Sequence, residues 1–422
     1  ELAFDYPKTF FDETLHNILR PRPDQTSLQI AAHILQQAKR PFIIAGGGVR
    51  YAQASDVLSD FAVRHNIPIS ETIAGKGSLV HEHSHHVGPI GVIGSSSANA
   101  LAAKADVIVA IGTRLQDFTT GSWTSFTHDA RFIAINTQRW DATKHWAISV
   151  VGDARESLTE WDEMLGDWRV ADAWMDFARK EFSLWNQLLD DLQKPTNTTL
   201  PTYAHVVGTV NDWAKPEDYV LTAAGGLPGE LAKAWRIKSP NSFDCEFGFS
   251  CMGYEVAGGW GIAMANPHRN NIVMVGDGSY MMMNSDIYST VLSGHKMIVI
   301  ICDNGGFAVI NRLQNFKGGK SFNNLILDCK VQDPFGVDFT AHAKSMGAEA
   351  KKVASIAELQ SALTWAETTD RTTVITIQTD AHAWVPGDAA WDVGVPEISE
   401  RLEVRQARRD QDEIRARQRI GV

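Results

Sequence analysis

Runs of apolar residues alternate with segments of helical spacing along most of the chain. The segments DQTSLQIAAHILQQAKR, ASDVLSDFAVRHN and SSANALAAKA repeat apolar side chains at helical intervals, whereas PFIIAGGGV, ADVIVAIGT and RFIAINT are short apolar runs. Strands that alternate with helices form a parallel sheet, because each helix returns the chain to the edge at which the previous strand began. The pattern therefore predicts an α/β fold, with a doubly wound parallel-sheet domain over residues 24–165.

A second series of the same kind follows a helical, tryptophan-bearing stretch over residues 166–200. That stretch ends in a cluster of proline, asparagine and threonine typical of a domain connection. The next predicted strands, DYVLTAAGG, NIVMVGDGS, KMIVIICDN and TTVITIQTD, are almost continuously apolar, which indicates burial on both faces of a sheet. A second doubly wound parallel-sheet domain is therefore predicted over residues 201–385, followed by a charged helical tail over residues 386–422.

Composition and charge indicate which kinds of molecule the protein binds. With 422 residues, of which 44% are hydrophobic, the chain is too long for one ordinary core, so two domains are expected. A formal net charge of -11 offers no basic surface for nucleic acid, and no stretch approaches the ~20 apolar residues of a membrane span. Small molecules are therefore the expected partners. A reducing cytoplasm is expected, because no leader sequence is recognisable and no CxxC pair occurs among Cys245, Cys251, Cys302 and Cys329.

Polar residues follow two predicted strands of the second domain at the point where each strand ends. Asp277 comes directly after one apolar run and Asn304 after the next. The segment between them predicts one helix that ends near Gly294 and carries on one face Met283, Ile287, Tyr288, Val291 and Leu292. In such a βαβ unit the strands run parallel, so if they are neighbours, Asp277 and Asn304 lie about 5 Å apart at the edge where ligands of open α/β sheets bind.

These residue types suit a hard metal ion. A carboxylate, an amide oxygen and a backbone carbonyl after Asn304 provide oxygen ligands for Mg²⁺, which usually keeps water and phosphate oxygens as its other ligands. Gly276 and Gly278 allow the backbone to approach a diphosphate closely, and Ser279 opens a helix whose N–H groups favour negative charge. The alternative for an isolated GDG sequence is that Asp277 caps a helix and Asn304 makes a turn.

The GDG sequence, followed by an asparagine 27 positions after its aspartate (277 to 304), resembles the thiamin diphosphate motif of the decarboxylase and acetolactate synthase superfamily. By this resemblance Asp277, the Asn304 side chain and the Gly306 carbonyl would hold Mg²⁺ against the cofactor's diphosphate. Many relatives have asparagine where this chain has Asp303, but only the second position, Asn304, is a ligand. The metal site is therefore expected to be intact.

Two further segments resemble cofactor-binding parts of the superfamily. LTAAGGLPGE corresponds to the segment that touches the diphosphate, and FGFSCMGYEVAGGWGIAMA to the segment beneath the thiazolium ring. Met252 falls where these enzymes place the apolar residue that keeps the cofactor bent; ordinary core packing is the alternative. The resemblance implies as cofactor-binding residues Gly225, Gly226, Leu227, Ser250, Met252, Gly276, Gly278, Ser279, Gly306 and Phe307.

Over nearly the whole chain, the sequence resembles the trihydroxycyclohexanedione hydrolases of myo-inositol catabolism. The segments that carry this resemblance are FGFSCMGYEVAGGWG, GDGSYMMMNSDIYS, DNGGFAVINRLQ and WDVGVPEISE. It implies hydrolysis of a C–C bond of 3D-(3,5/4)-trihydroxycyclohexane-1,2-dione to 5-deoxy-glucuronate, with thiamin diphosphate and Mg²⁺ as cofactors. Two alternatives remain open: an acetolactate synthase-like carboligase or decarboxylase, and a noncatalytic assembly or regulatory subunit.

Some polar residues near these motifs are candidates for the substrate. Asn311 and Gln314, beside Phe307, could face a polyhydroxylated diketone, and a surface turn with a helix is the alternative. A buried carboxylate near Met252 could act on the substrate, and the sequence does not distinguish between Asp244, Glu246 and Glu255.

The first domain resembles the central, Rossmann-like domain of the same family. Its IAGGGVRYA segment lacks the spacing of GxGxxG, so nucleotide binding is not expected at Gly46, Gly47 and Gly48. The histidines of the HEHSHHVG segment are candidate metal ligands, but adjacent histidines in a polar loop more often form a solvated or adventitious site. Zinc is therefore not expected at His81, His83, His85 and His86.

Members of this family carry a further, N-terminal domain that binds the cofactor's pyrimidine and supplies the glutamate that protonates its ring nitrogen. Residues 1–23 resemble the linker that follows that domain, and no candidate for the glutamate is found in the sequence. This chain is therefore expected to be an incomplete part of the enzyme and inactive alone. The resemblance also implies a homodimer or homotetramer for the intact enzyme.

Overall fold

The computed structural model describes residues 3–196, 200–331 and 335–421. Outside this range lie the first two residues of the predicted linker, residues 197–199 of the predicted connection, residues 332–334 of the predicted second domain and residue 422 of the predicted tail. The described residues form two six-stranded sheets, and all the paired strands within them are parallel. The predicted α/β fold with two doubly wound sheets is confirmed.

The strands of the first sheet are β1 (Pro41–Ala45), β2 (Ile69–Glu71), β3 (His86–Pro89), β4 (Val107–Ile111), β5 (Arg131–Asn136) and β6 (Ile148–Val151). Those of the second are β7 (Tyr219–Thr222), β8 (Phe243–Cys245), β9 (Asn271–Gly276), β10 (Ile298–Asp303), β11 (Glu349–Val353) and β12 (Thr373–Gln378). The helices up to the domain connection are α1 (Gln25–Gln36), α2 (Gly47–Tyr51), α3 (Ser55–His65), α4 (Ser96–Ala102), α5 (Asp117–Thr120), α6 (Arg139–Ala142), α7 (Ala154–Leu165) and α8 (Asp172–Gln193). The helices that follow are α9 (Tyr203–Trp213), α10 (Gly226–Ala234), α11 (Tyr254–Ala265), α12 (Asp277–Met282), α13 (Asp286–Leu292), α14 (Ala308–Phe316), α15 (Phe339–Ser345), α16 (Ile356–Thr368) and α17 (Leu402–Ala416).

The first sheet has the strand order β3-β2-β1-β4-β5-β6, which is the order of Rossmann-type sheets. The second has the order β11-β12-β10-β9-β7-β8. Strand β7 has its sequence successor β8 on one side and β9 on the other, so the winding reverses between β7 and β9. Such a reversal opens a crevice outside the carboxyl ends of the strands, where ligands bind. The fold therefore provides a ligand crevice at the ends of β7 and β9.

Strand β10 pairs directly with β9, with Cys302 opposite Gly276. The predicted pairing of these two strands is thus confirmed, and it brings the residues after them to one edge. Alternate residues of β9 belong to different apolar clusters: Ile272 and Met274 lie in one, and Val273 and Val275 in the other. Helices therefore cover both faces of this sheet, as the unbroken apolar strands predict.

The single helix predicted between Asp277 and Gly294 is wrong. The segment forms α12 and α13, which are separated at Met283, whose φ of -147° and ψ of 88° are not helical. The predicted common apolar face is divided as well, because Ile287 is buried whereas Leu292 is 67% exposed. The end of the helix near Gly294 is as predicted, since α13 ends at Leu292.

The charged tail is helical at α17, but the residues between β12 and α17 form no helix or strand. A connecting strap, residues 384–392, runs from the second domain to the first. At one end the Lys233 ammonium donates to the Val385 carbonyl at 2.7 Å, and further along the Asn99 amide donates to the Gly387 carbonyl at 2.8 Å. The connecting strap therefore contacts both domains beside the ligand crevice. Within the described ranges, no helix is long and apolar enough to cross a membrane.

Candidate active site

Asp277 is the first residue of α12 and lies directly after β9. The nearby backbone N–H groups of Gly278, Asn304 and Gly306 favour the charged form of its carboxylate. The side chain is nearly inaccessible, and its burial, together with the nearby Asp303 carboxylate, raises the pKa of Asp277 to about 7. A buried carboxylate with these neighbours would be stabilised by a cation.

Asn304 lies on the loop after β10, and its amide has a defined orientation. Its Nδ2 donates to the Tyr203 hydroxyl at 2.6 Å. Its Oδ1 is buried and accepts no hydrogen bond from the residues that the structure describes. An unpaired buried amide oxygen is costly unless a ligand completes it. A metal ion beside Asp277 would do so, and the residue types therefore fit Mg²⁺.

Glycines shape the two loops that approach this position. Gly225, at the start of α10, has φ of 113°, and a side chain there would point into open space. Gly306 has φ of 140°, and a Cβ atom there would lie 2.4 Å from the Asn324 carbonyl oxygen. Both conformations favour glycine. The backbone at Gly225 is thus open to a ligand, while Gly306 allows the metal loop to pack closely on residues 324–325.

Two aromatic side chains enclose the same loops. The ring of Phe307 packs on Gly278, where a Cβ atom would lie 2.6 Å from the ring. The ring of Trp384, in the connecting strap, packs on Gly226 at the same distance. These contacts explain why glycine occupies both positions. They also make Trp384 part of the crevice, which its position beyond the last strand did not indicate.

Glu255 joins three of the predicted cofactor segments rather than facing the crevice. Its fully buried carboxylate accepts hydrogen bonds from the Ser279 hydroxyl at 2.8 Å and the Gly253 N–H at 3.0 Å, and the nearby Ala224 N–H favours its charged form. Burial raises the pKa of Glu255, and these hydrogen bonds oppose that effect. Since these donors use both carboxylate oxygens, Glu255 is placed to hold the loops together.

The other two candidate carboxylates make different contacts. Asp244 lies 3.9 Å from the Arg50 guanidinium of the first domain. Glu246 accepts the N–H groups of Phe249 at 3.1 Å and Cys251 at 2.7 Å, and so folds its own loop. Neither approaches the metal loop through any contact in the part of the chain that the structure describes.

The remaining predicted cofactor residues differ in exposure. Met252 is half-buried in the turn before α11 and lies outside the apolar clusters, and Ser250 is exposed with φ of 53°. The Leu227 side chain is buried in the core of the second domain. Leu227 can therefore contact a ligand only through its backbone.

The two predicted substrate residues lie on α14, just past the metal loop. Asn311 is 2% exposed, and its Oδ1 has no hydrogen-bond partner within the described ranges. The Gln314 amide donates to the Lys320 carbonyl and accepts from the Asn324 amide at 2.6 Å. Gln314 therefore stabilises the loop after α14, whereas Asn311 keeps an acceptor unused.

The expectation that the HEHSHHVG segment is a solvated polar loop is wrong. His81, His85 and His86 are buried, because β3 packs under α8, where Phe182 contacts the rings of His81 and His86. Burial lowers the pKa of His85 to about 4. The described residues contain no group of three or more His, Cys, Asp or Glu side chains placed to hold a metal ion. The histidines are structural parts of the first domain.

These histidines make the first domain sensitive to acid. In the unfolded chain, a histidine has the ordinary pKa of 6.5 and takes up a proton as the pH falls below that value. In the folded chain, the pKa of His85 is about 4, so this side chain stays neutral over the same range. Stability should therefore fall between pH 7.5 and 5, and we expect His85→Gln to remove about 2 kcal/mol of that fall. Urea unfolding at both pH values measures this difference. The exposed histidine variant His128→Gln serves as control, and the same pH dependence in both variants would contradict the expectation.

Comparison with known proteins agrees with this architecture. Residues 28–161 match the family "thiamine pyrophosphate enzyme, central domain", and residues 223–377 match "thiamine pyrophosphate enzyme, C-terminal TPP binding domain". The 3D-(3,5/4)-trihydroxycyclohexane-1,2-dione hydrolase of Geobacillus thermodenitrificans is 33% identical over 97% of this chain and 68% of its own length. The enzymes of the same name from Bacillus subtilis and Bacillus anthracis are 33% and 34% identical over 96% of this chain, and over 67% and 68% of their own lengths. The chain therefore belongs to the thiamine pyrophosphate enzymes, in the family of the 3D-(3,5/4)-trihydroxycyclohexane-1,2-dione hydrolases.

Proposed function

We propose that this chain acts in the thiamin diphosphate-dependent hydrolysis of a C–C bond of 3D-(3,5/4)-trihydroxycyclohexane-1,2-dione, which yields 5-deoxy-glucuronate. The identity to hydrolases of this name over almost the whole chain supports the substrate. The observation that carries the cofactor part of the proposal is the unpaired, buried Asn304 oxygen, on a loop whose N–H groups lie near the Asp277 carboxylate.

In this proposal Mg²⁺ is held by the Asp277 carboxylate, the Asn304 Oδ1 and the Gly306 carbonyl. The neighbouring Gly305 carbonyl already accepts the Ile326 N–H at 2.8 Å, which supports the choice of the next carbonyl. The diphosphate would lie along Gly225 and the first turn of α10, whose N–H groups favour an anion. The metal would link the loops after β9 and β10 to the diphosphate, which lies at the end of β7.

When bound, thiamin diphosphate supplies a carbon that adds to a carbonyl of the diketone and accepts the electron pair of the bond that breaks. The chain's own residues fix the position of the diphosphate end of the cofactor and compensate its charge through the metal. Met252, half-buried at the start of α11, is proposed to support the bent cofactor. Asn311 is the better of the two substrate candidates, because its oxygen is unpaired among the described residues, whereas both polar groups of the Gln314 amide are used.

The proposal includes a homodimer or homotetramer. Apolar side chains that are at least half exposed occur on α12, on α13 and between them, and they are Met281, Met282, Met283, Tyr288 and Leu292. Single exposed apolar residues are ordinary, but a run of this kind is typical of a surface that another protein surface covers. This feature supports an oligomer.

A substrate comparison tests the proposed reaction. The chain would be co-expressed with the N-terminal part of the Bacillus subtilis relative, of which the match covers 67%. With thiamin diphosphate and Mg²⁺, we expect ring opening of the diketone, followed by mass spectrometry, and no acetolactate from pyruvate. The Asp277→Ala variant controls for background hydrolysis. Acetolactate formation would favour the carboligase alternative, and cofactor binding without turnover of either compound would favour a noncatalytic subunit.

A further inference from the structure

Tyr203 reaches the proposed metal site from a distant part of the chain. It is the first residue of α9, in the helix that follows the domain connection, and its side chain is 2% exposed. Its hydroxyl accepts the hydrogen bond from the Asn304 Nδ2 at 2.6 Å, across 101 positions of sequence. A hydroxyl group of α9 thus contacts a residue of the loop after β10.

The contact satisfies the NH₂ group of the Asn304 amide and leaves its oxygen free. A side-chain amide has an oxygen that binds cations and an NH₂ group that repels them, and rotation by 180° exchanges the two. Because the Tyr203 hydroxyl accepts from Nδ2, the Oδ1 atom points the other way, where the described residues offer it no donor. Without the hydroxyl, the NH₂ group would lose its partner in the orientation that leaves the oxygen free, and the side chain would be held less firmly.

Packing holds Tyr203 in place. The ring of Trp384 contacts the Tyr203 ring in an edge-on arrangement, with 5.9 Å between ring centroids. The Arg312 guanidinium lies 5.1 Å from the Trp384 ring and forms an ion pair with Asp388 at 2.8 Å. The connecting strap therefore packs against the tyrosine through Trp384.

The strap is itself held by charged groups of α10. The Glu230 carboxylate accepts the Val385 N–H at 2.9 Å, and the Lys233 ammonium donates to the Val385 carbonyl at 2.7 Å. Both side chains are buried. Paired charges of this kind are rigid when fully satisfied, so the support for Tyr203 extends to the helix that starts at the cofactor loop.

We propose that Tyr203 is a positioning residue for the metal site: its hydroxyl fixes the Asn304 amide with the oxygen facing the cation. This inference rests on the proposed function, because it requires Asn304 to be a ligand. It gives α9 and the connecting strap a role in metal binding, although neither belongs to the GDG motif.

The test is calorimetric titration of thiamin diphosphate at a series of Mg²⁺ concentrations. Tyr203→Phe removes only the hydroxyl, and we expect it to raise the half-saturating Mg²⁺ concentration about tenfold, the usual effect of one lost hydrogen bond. The thermal midpoint of the ligand-free chain should fall by no more than that of a variant that loses another buried tyrosine hydroxyl of this domain. Tyr280→Phe is the matched control, since Tyr280 is a buried tyrosine of the same domain whose hydroxyl contacts His342 at 3.1 Å.

A double-mutant cycle separates orientation from general packing. In an Asn304→Ala background the hydroxyl has no amide to hold, so Tyr203→Phe should no longer change the Mg²⁺ requirement. The same loss in both backgrounds, or no loss in the Asn304 chain, would overturn the assignment of Tyr203 while leaving the proposed function intact. Absence of Mg²⁺-dependent binding by the unsubstituted chain would overturn both.

Discussion

Replacing Asp277 by alanine is expected to abolish the Mg²⁺-dependent binding of thiamin diphosphate. The carboxylate is buried, has backbone N–H groups of both strand-end loops nearby, and lies at the same sheet edge as the free Asn304 oxygen. Losses of about 10–100-fold follow from changes to residues that only support a metal ligand, so removal of a ligand itself should cost at least about 100-fold in affinity. Titration of thiamin diphosphate with and without Mg²⁺ measures the effect.

Asp303 provides a matched control for this experiment. It is the adjacent carboxylate, and its Oδ1 accepts the Gly305 N–H at 3.0 Å. Asp303→Asn keeps an oxygen for that hydrogen bond, so we expect cofactor affinity within about threefold of the unsubstituted chain. If Asp303→Asn abolished binding while Asp277→Ala retained it, the assignment of the ligands would be reversed. Circular dichroism of the ligand-free variants would establish that both remain folded.

Replacing Glu255 by alanine should destabilise the second domain and weaken cofactor binding together. The substitution leaves the buried Ser279 hydroxyl without its acceptor, whereas the Gly253 N–H keeps the Ser279 oxygen at 2.8 Å as its other acceptor. An unsatisfied buried donor costs about 1–3 kcal/mol, so the free energy of unfolding should fall by about that amount. Urea unfolding and the thiamin diphosphate titration measure the two effects.

Two further variants show whether the Glu255 hydrogen bonds cause the loss. Glu255→Gln keeps the shape of the side chain but turns one acceptor into a donor, so an intermediate loss is expected. Glu349→Ala removes an exposed carboxylate from the edge strand β11 and should change stability by less than about 0.5 kcal/mol. Equal stability of the Glu255 and Glu349 alanine variants would show that Glu255 does not hold the loops together.

Sequence patterns predicted those parts of the fold and site that depend on residues close together along the chain. The strands β9 and β10 are long, apolar and central in the sheet. Asp277 and Asn304 come directly after them, so the strand ends determine where these two residues lie. The strands that were not predicted are mostly short or lie at sheet edges. In β11, for example, only Ala350 and Val353 are buried, and two exposed lysines lie between them.

The features that sequence patterns missed depend on contacts between distant segments. Tyr203 and Trp384 reach the crevice from outside every motif, through α9 and through the strap. The histidines of the first domain look like a polar loop locally, but Phe182 of α8 covers two of them. The break at Met283 likewise follows from its surroundings, since its side chain packs on Gly253 and the Asn284 amide donates to the Tyr280 carbonyl.

The most direct test of the account is the position of the metal in crystals grown with thiamin diphosphate and Mn²⁺, measured by anomalous scattering. The account predicts one strong peak about 2.1 Å from the Asp277 carboxylate, the Asn304 Oδ1 and the Gly306 carbonyl, with the diphosphate on its other side. A cofactor bound without a peak at this position, or a peak at the histidines of the first domain instead, would contradict it.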